Sequence, residues 1–312
     1  MRIIFMGTPD FAVPALRTLV DNGYEVVAVV TATDKYGGRG GKRLLESAVK
    51  RHAVSRGIPV LQPNNLKAPT FVEALRSYRA DLQVVVAFRM LPGVVWDMPP
   101  LGTFNLHGSL LPKYRGAAPI HWAVIRGETE TGVTTFFLQH EIDTGNIILQ
   151  RRLPIGPDET TGEVHDRMMQ LGGETVLETV RLIEAGRTNP TTQDDSRATK
   201  APKLHTDTCE VDFDQTAREL HNFIRGLSPF PAAWTTLAGQ QLKLYRSALP
   251  PESPWPAAAP GTYRTRGKNE LFVAAREGWV RLLELQLQGK RRMDTAAFLN
   301  GYRNLIDADE TV

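Results

Sequence analysis

The stretch Glu25-Val26-Val27-Ala28-Val29-Val30-Thr31 is apolar or β-branched at every position after its glutamate. A strand with one face in water alternates polar and apolar residues. An unbroken run of this kind belongs to a strand covered on both sides, as in a parallel sheet between helices. The same pattern repeats outward from it. Residues 2–6 read as an apolar strand, and 9–22 as a helix whose buried stripe is Phe11, Ala15, Leu16, Leu19 and Val20. Further strands are expected over 58–61, 82–87 and 102–107, with helices over 42–56, 69–78 and 117–126. This alternation predicts an α/β fold on a doubly wound, mostly parallel sheet, with functional groups at the carboxyl ends of its strands.

One such end stands out: Phe104-Asn105-Leu106-His107-Gly108-Ser109-Leu110-Leu111-Pro112. Asn105 and His107 lie two apart on a strand and so share a face, and a turn of Gly108, Ser109 and Pro112 follows. Residues 132–139 and 146–153 read as an antiparallel pair, and the loop between them carries Ile142-Asp143-Thr144-Gly145. Taken singly, His107 reads as a core histidine and Asp143 as a turn residue. Together, Asn105, His107 and Asp143 supply a neutral hydrogen-bond donor, a group that titrates near neutrality and an anion. Attack on a carbonyl needs these parts, because an oxyanion must be stabilised and protons moved. These three are the candidate catalytic residues.

Composition narrows the field. A chain of 312 residues, 42% hydrophobic and 23% charged, is expected to form two soluble globular domains. No apolar run approaches the roughly twenty residues that span a bilayer, so no membrane partner is expected. Met1-Arg2-Ile3-Ile4-Phe5-Met6-Gly7 reads as a buried strand rather than a signal segment. The one cysteine, Cys209, rules out an internal disulfide and fits a reducing, cytoplasmic setting.

The net charge of +3 singles out no partner, but Lys35, Arg39, Lys42, Arg43, Lys50 and Arg51 crowd between Thr33 and His52 against only Asp34 and Glu46. Within that stretch, Tyr36-Gly37-Gly38-Arg39-Gly40-Gly41-Lys42-Arg43 is not a nucleoside-triphosphate loop. Tyr36 replaces its first glycine, and Arg43 replaces the magnesium-binding Ser or Thr. It reads instead as a glycine-rich basic loop in which Arg39, Lys42 and Arg43 suit phosphates; a solvated surface turn is the plain alternative. Gly7-Thr8-Pro9-Asp10 lacks the dinucleotide-binding spacing. His140-Glu141 is followed by Thr144 where a zinc site needs a second histidine, so no metal is expected.

Beyond a long amphipathic helix over 161–185 and a polar connector over 187–203, the texture changes. A helix over 216–226 is followed by short strands over 233–237, 241–248, 261–265, 271–275 and 279–286. These predict a small β-barrel, with the Pro- and Ala-rich 250–260 as a loop inside it.

With these residues in hand, the chain resembles the methionyl-tRNA formyltransferases along nearly its full length. Gly7-Thr8-Pro9-Asp10-Phe11-Ala12 is similar to that family's opening signature. Asn105 to Pro112 is similar to the segment shared by formyltransferases that use 10-formyltetrahydrofolate, and Arg115-Gly116-Ala117-Ala118-Pro119-Ile120 continues it in the form typical of the tRNA enzyme. Asp143-Thr144-Gly145 matches the family's aspartate loop. Ile224-Arg225-Gly226-Leu227-Ser228-Pro229-Phe230-Pro231-Ala232-Ala233-Trp234 resembles the start of its OB-like C-terminal domain.

The resemblance implies a cytoplasmic, monomeric enzyme that moves the formyl group of 10-formyltetrahydrofolate onto the amino group of initiator methionyl-tRNA. It implies a catalytic domain over 1–189, a linker over 190–206 and an OB-like tRNA-binding domain over 207–312. Ser109, Leu110, Leu111 and Pro112 would line the folate site, and Arg39, Lys42 and Arg43 would meet the tRNA. Two departures stand against the pattern. Ala87-Phe88-Arg89-Met90 has arginine where the family has glycine near the folate pocket, and the basic loop is one residue longer than usual. The rival readings are a folate-dependent formyltransferase acting on a small amine, such as glycinamide ribonucleotide or an amino sugar, and a tRNA- or folate-binding module without turnover.

Overall fold

The computed structural model describes residues 1–37 and 43–309, and the chain divides into two compact units. The first comprises Met1–Pro119, Gly132–Leu153 and His165–Ala201; the second comprises Ile120–Thr131, Pro154–Val164 and Pro202–Val312.

The first unit is built on β1 (Arg2–Gly7), β2 (Glu25–Val30), β3 (Lys35–Gly37), β4 (Arg43–Leu45), β5 (Val60–Leu61), β6 (Leu82–Val86), β7 (Thr103–His107), β8 (Glu130–Phe137) and β9 (Ile147–Pro154). Seven of these form one sheet in the order β5-β2-β1-β6-β7-β8-β9. The first five in that order run parallel, whereas β8 is antiparallel to β7. The strand β9 runs back along β8, with Phe137 bonded to Asn146 and Gly132 set against Arg151. Residues Val26 to Val30 are all buried, as are all of β6, so the unbroken apolar runs do mark strands covered on both faces.

The first unit's helices are α1 (Val13–Asp21), α2 (Ala48–Ser55), α3 (Pro69–Ser77) and α4 (Gly93–Trp96); α5 (Pro119–Ile125) falls in the second unit from Ile120 on, and α6 (Thr161–Glu184) in the first from His165 on. Phe71, Val72 and Leu75 of α3 pack with Ile4, Met6, Val30 and Val85 in one core cluster. Each such side chain contributes about 1.5–3 kcal/mol when fully buried.

The expected helix over 42–56 is shorter than its periodicity suggests. It begins at Ala48 because the Ser47 hydroxyl accepts from the Lys50 amide and caps it. Arg43 to Leu45 instead pair antiparallel with Lys35 to Gly37. The polar connector is also partly ordered. Thr191 exchanges two backbone hydrogen bonds with Ile147, Arg115 bridges to Lys200, and Asp195–Arg197 form a 3-10 turn.

The second unit holds α7 (Ala217–Leu227), β10 (Ala233–Leu237), β11 (Gln240–Ala248), β12 (Tyr263–Arg266), β13 (Glu270–Ala274), β14 (Trp279–Leu287), β15 (Met293–Asp294) and α8 (Thr295–Asp309). Its strands form an antiparallel sheet in the order β10-β11-β14-β13-β12, with β15 beside β14. The helix α7 starts at a capping box made by Thr216 and Glu219. Leu220, Ile224 and Leu227 of α7 and Phe298 and Leu299 of α8 share a core with Leu244, Leu271, Val280 and Leu285 from the strands. On the other side of β13 and β14, Trp255 from the Pro-rich loop packs on Phe272 and Trp279.

His221 is buried in this unit. Its Nδ1 pairs with the Ser247 hydroxyl at 2.9 Å and its Nε2 with the Pro157 carbonyl at 3.1 Å. Burial holds its pKa below the ordinary 6.5. In the unfolded chain the imidazole takes up a proton near its ordinary pKa, so protons favour the unfolded state and stability falls as pH drops through that value. Unfolding free energies from urea titrations at about pH 7.5 and about pH 5.5 are expected to differ less in His221→Gln than in the parent protein.

Candidate active site

In the first unit, the chain leaves β1 toward β2 and β5 on one side, while β6 and β7 lie on the other. The strand order therefore reverses between β1 and β6, the place where open parallel sheets form their clefts. Gly7 pairs with Val86, and Val86 with Leu106. The segments after Gly7, Val86 and His107 thus leave the sheet at one edge.

Asn105 and His107 stand at this edge on β7 with their intervening neighbour, Leu106, buried. Asn105 is half-buried, and its side-chain amide has no hydrogen-bond partner among the described residues. His107 is 6% exposed and places Nε2 at 2.8 Å from the Tyr114 carbonyl. A carbonyl can only accept, so Nε2 carries the hydrogen and Nδ1 is the nitrogen left open. That Nδ1 lies 3.8 Å from Oδ2 of Asp143, whose side chain is 13% exposed. This separation is longer than a hydrogen bond and short enough for strong electrostatic attraction when the ring is charged.

The aspartate is held from several sides. Its Oδ2 accepts the Gly116 amide at 2.9 Å. Gly116 has φ +128°, and a Cβ there would meet the Ala201 carbonyl at 2.6 Å, so this donor position requires glycine. Asp143 itself takes the left-handed φ of +56°. Its carbonyl and that of Gly145 both accept from Nε2 of Gln193, each at 2.8 Å. The Gln193 oxygen in turn accepts from Nε of Arg115 at 3.1 Å and from Nη2 at 2.8 Å. Neither Gln193 nor the Tyr114 carbonyl was a candidate from sequence. A glutamine in a polar connector carries no local signal, and a backbone acceptor carries none of its own.

The following turn is tied inward. The Ser109 hydroxyl donates to the Lys113 carbonyl at 2.6 Å, and the Ser109 carbonyl accepts from Thr134. Ser109 and Leu111 are buried, whereas Leu110 and Pro112 are half-buried. A groove of about 670 Å3 opens beside the segment after β6, lined by Asn64, Leu66, Lys67, Arg89, Met90 and Val94 among others. Arg89 crosses it: its guanidinium bonds to the carbonyls of Pro63 and Asn64 and lies 5.7 Å from the Phe88 ring centre. A second cavity of about 450 Å3, lined by Arg2, Tyr24 and Glu25, sits at the amino ends of the strands, away from His107. In the basic loop, Arg43 is exposed on β4; Arg39 and Lys42 lie outside the described residues. Among the described residues no group of three His, Cys, Asp or Glu is placed to hold a metal ion. No described helix is long and apolar enough to cross a membrane.

Residues 1–180 match the formyl transferase family and 203–303 the formyl transferase C-terminal domain. A methionyl-tRNA formyltransferase of Parabacteroides distasonis is 52% identical, covering 98% of this chain and 97% of its own length. Among solved structures, the methionyl-tRNA formyltransferase of Clostridium thermocellum superposes with a TM-score of 0.56 at 16% identity, over 80% of this chain and 94% of that one. HypX of Aquifex aeolicus in complex with tetrahydrofolic acid gives 0.65 at 20% identity, over 96% of this chain but only 47% of HypX. At these identities the two structures attest the fold.

The aspartate loop allows a direct test. A Cβ on Gly145 would fall 1.7 Å from the Phe137 carbonyl, so alanine cannot enter without parting the β8–β9 connection. Gly145→Ala is expected to destabilise the protein by about 1–3 kcal/mol, the range for forced overpacking, measured by chemical denaturation.

Proposed function

From the premise that this chain belongs to the methionyl-tRNA formyltransferase family, we propose that it transfers the formyl group of 10-formyltetrahydrofolate to the amino group of methionine on initiator tRNA, with Asn105, His107 and Asp143 as its catalytic residues. The observation that carries this reading is the meeting of His107 and Asp143 at 3.8 Å, on the strand that also carries half-buried Asn105, whose side-chain amide has no hydrogen-bond partner among the described residues.

In the reaction, the methionyl amine attacks the formyl carbon, a C–N bond forms, and the carbonyl electrons move onto oxygen. The Asn105 amide donates to that oxyanion, which is where a preorganised donor contributes most. With Nε2 held by Tyr114, Nδ1 of His107 faces the reacting atoms; once protonated it presents a cationic N–H that Asp143 balances. Asp143 takes the proton shed by the attacking amine, directly or through water. The oxyanion's electrons then re-form the carbonyl, the bond to N10 breaks with its electron pair going to N10, and the proton held by Asp143 passes there, directly or through water, to free tetrahydrofolate.

We assign the folate to the cleft between the segments after β6 and β7. Leu110 and Pro112 would form one wall, with Ser109 and Leu111 fixing its shape. The apolar groove carrying Met90 and Val94 suits a flat ring system, and Lys67 and Arg89 suit the carboxylates of its tail. HypX, similar in fold, binds tetrahydrofolic acid. The 1–189 segment is assigned to catalysis and 207–312, beyond the 190–206 linker, to the tRNA. Arg39, Lys42 and Arg43 would contact the tRNA's phosphates. A cytoplasmic monomer completes the reading. Neither a small-amine acceptor nor a binding module without turnover is favoured, since a relative matching nearly the whole chain is a methionyl-tRNA formyltransferase.

Asn105→Ala and His107→Ala are each expected to lower kcat by about a hundredfold to a thousandfold while folate binding persists; near-normal turnover in both rejects the assignment. Replacing Arg39, Lys42 and Arg43 together by alanine is expected to weaken methionyl-tRNA binding and flatten its dependence on salt, read from filter binding across a salt series. An unchanged slope would remove the basic loop from the tRNA site.

A further inference from the structure

Gln193 belongs to the stretch between the two family matches, yet its side chain is only 7% exposed. Its carboxamide uses every hydrogen-bonding position it has. Both Nε2 hydrogens go to loop carbonyls, those of Asp143 and Gly145. Both lone pairs of Oε1 are met by the Arg115 guanidinium. This also fixes which end of the amide is nitrogen, because two carbonyls can only accept and a guanidinium can only donate. Arg115 is held by Asp195 at 2.7 Å, and its backbone is bonded to Thr199 and Ala201.

The two loops joined by this amide are the two that serve the candidate catalytic pair. The 114–116 segment offers the Tyr114 carbonyl to His107 and the Gly116 amide to Asp143. The 143–145 segment carries the carboxylate itself, at a residue whose left-handed φ is uncommon outside glycine. A loop in that conformation keeps one geometry only when its surroundings over-determine it.

We propose that Gln193 is a positioning residue for formyl transfer: its carboxamide, locked by Arg115, sets the place of the Asp143 carboxylate relative to His107. This rests on the catalytic reading of Asp143 given above. Gln193 touches neither substrate, so its loss acts on the chemical step through Asp143.

The test compares Gln193→Met, which keeps length and apolar bulk but removes all four hydrogen bonds, with Gln193→Glu, which keeps the pairing to Arg115 but turns an oxygen toward two carbonyls. Each is measured in the full-length enzyme with methionyl-tRNA and 10-formyltetrahydrofolate. Both are expected to lose about ten- to a hundredfold in kcat, the usual range for removing a partner that orients a functional group. The KM values for both substrates and the Kd for 10-formyltetrahydrofolate stay as in the parent, which also certifies that the variants fold.

Each substitution is then repeated on Asp143→Ala. A residue that acts only through the carboxylate has nothing further to lose there, so kcat should match that of Asp143→Ala alone. Parental kcat in both Gln193 variants overturns the proposal. So does an equal fold-loss with and without Asp143, or a loss carried entirely by KM. Near-parental turnover in Asp143→Ala itself would overturn the catalytic reading of that residue, and the proposal with it.

Discussion

The hydrogen bond from the Gly116 amide to Oδ2 of Asp143 is the constraint on which the site rests. It crosses between two loops far apart in sequence and brings a carboxylate to the open nitrogen of His107. A carboxylate on a loop would otherwise prefer water, and the backbone donor partly replaces that solvation. It works only because residue 116 is glycine, since any side chain would strike the Ala201 carbonyl. The interaction also orders the histidine indirectly. The same loop that donates to Asp143 accepts from Nε2, so the ring's hydrogen and its open nitrogen are assigned by one turn of backbone.

The sheet supplies the rigidity beneath this arrangement. Parallel strands covered on both faces leave β7 no freedom of register: a slip of one residue would send Asn105 and His107 to the opposite face. Phe104 and Leu106, both buried, anchor the strand between β6 and β8. The reactive groups stand at the point where pairing stops, and the chain after them is stitched down by Ser109, Thr134 and Gln150. Precision at the site therefore comes from regular structure on one side and a dense side-chain network on the other.

Much of this was legible in the sequence, for identifiable reasons. Val26 to Val30 could only belong to a buried parallel strand, and the spacing of Asn105 and His107 could only put them on one face. The start of α2 was not legible there, because Leu44 and Leu45 continue a helical pattern that the Ser47 cap interrupts. The bonding of the connector was less legible still. Its polar, turn-rich composition resembles a solvated linker, yet Thr191, Gln193 and Thr199 spend their polar groups on the first unit's loops. Composition reports affinity for hydrogen bonds but does not say whether water or protein supplies them.

The second unit contains Arg225, 4% exposed, whose guanidinium bonds to the carbonyls of Gly156 and Glu159 and to Asn222, with burial holding its pKa below the usual value. Gly226 beside it leaves so little room that a methyl group would strike Ile125. The two carbonyl acceptors and Ile125 come from segments that precede residue 202. The C-terminal part is therefore not a detachable module. Excised at the apparent boundary, it would leave a buried cation without its two carbonyl acceptors and open a hollow beside α7, so grafting it onto another scaffold means carrying 120–131 and 154–164 along.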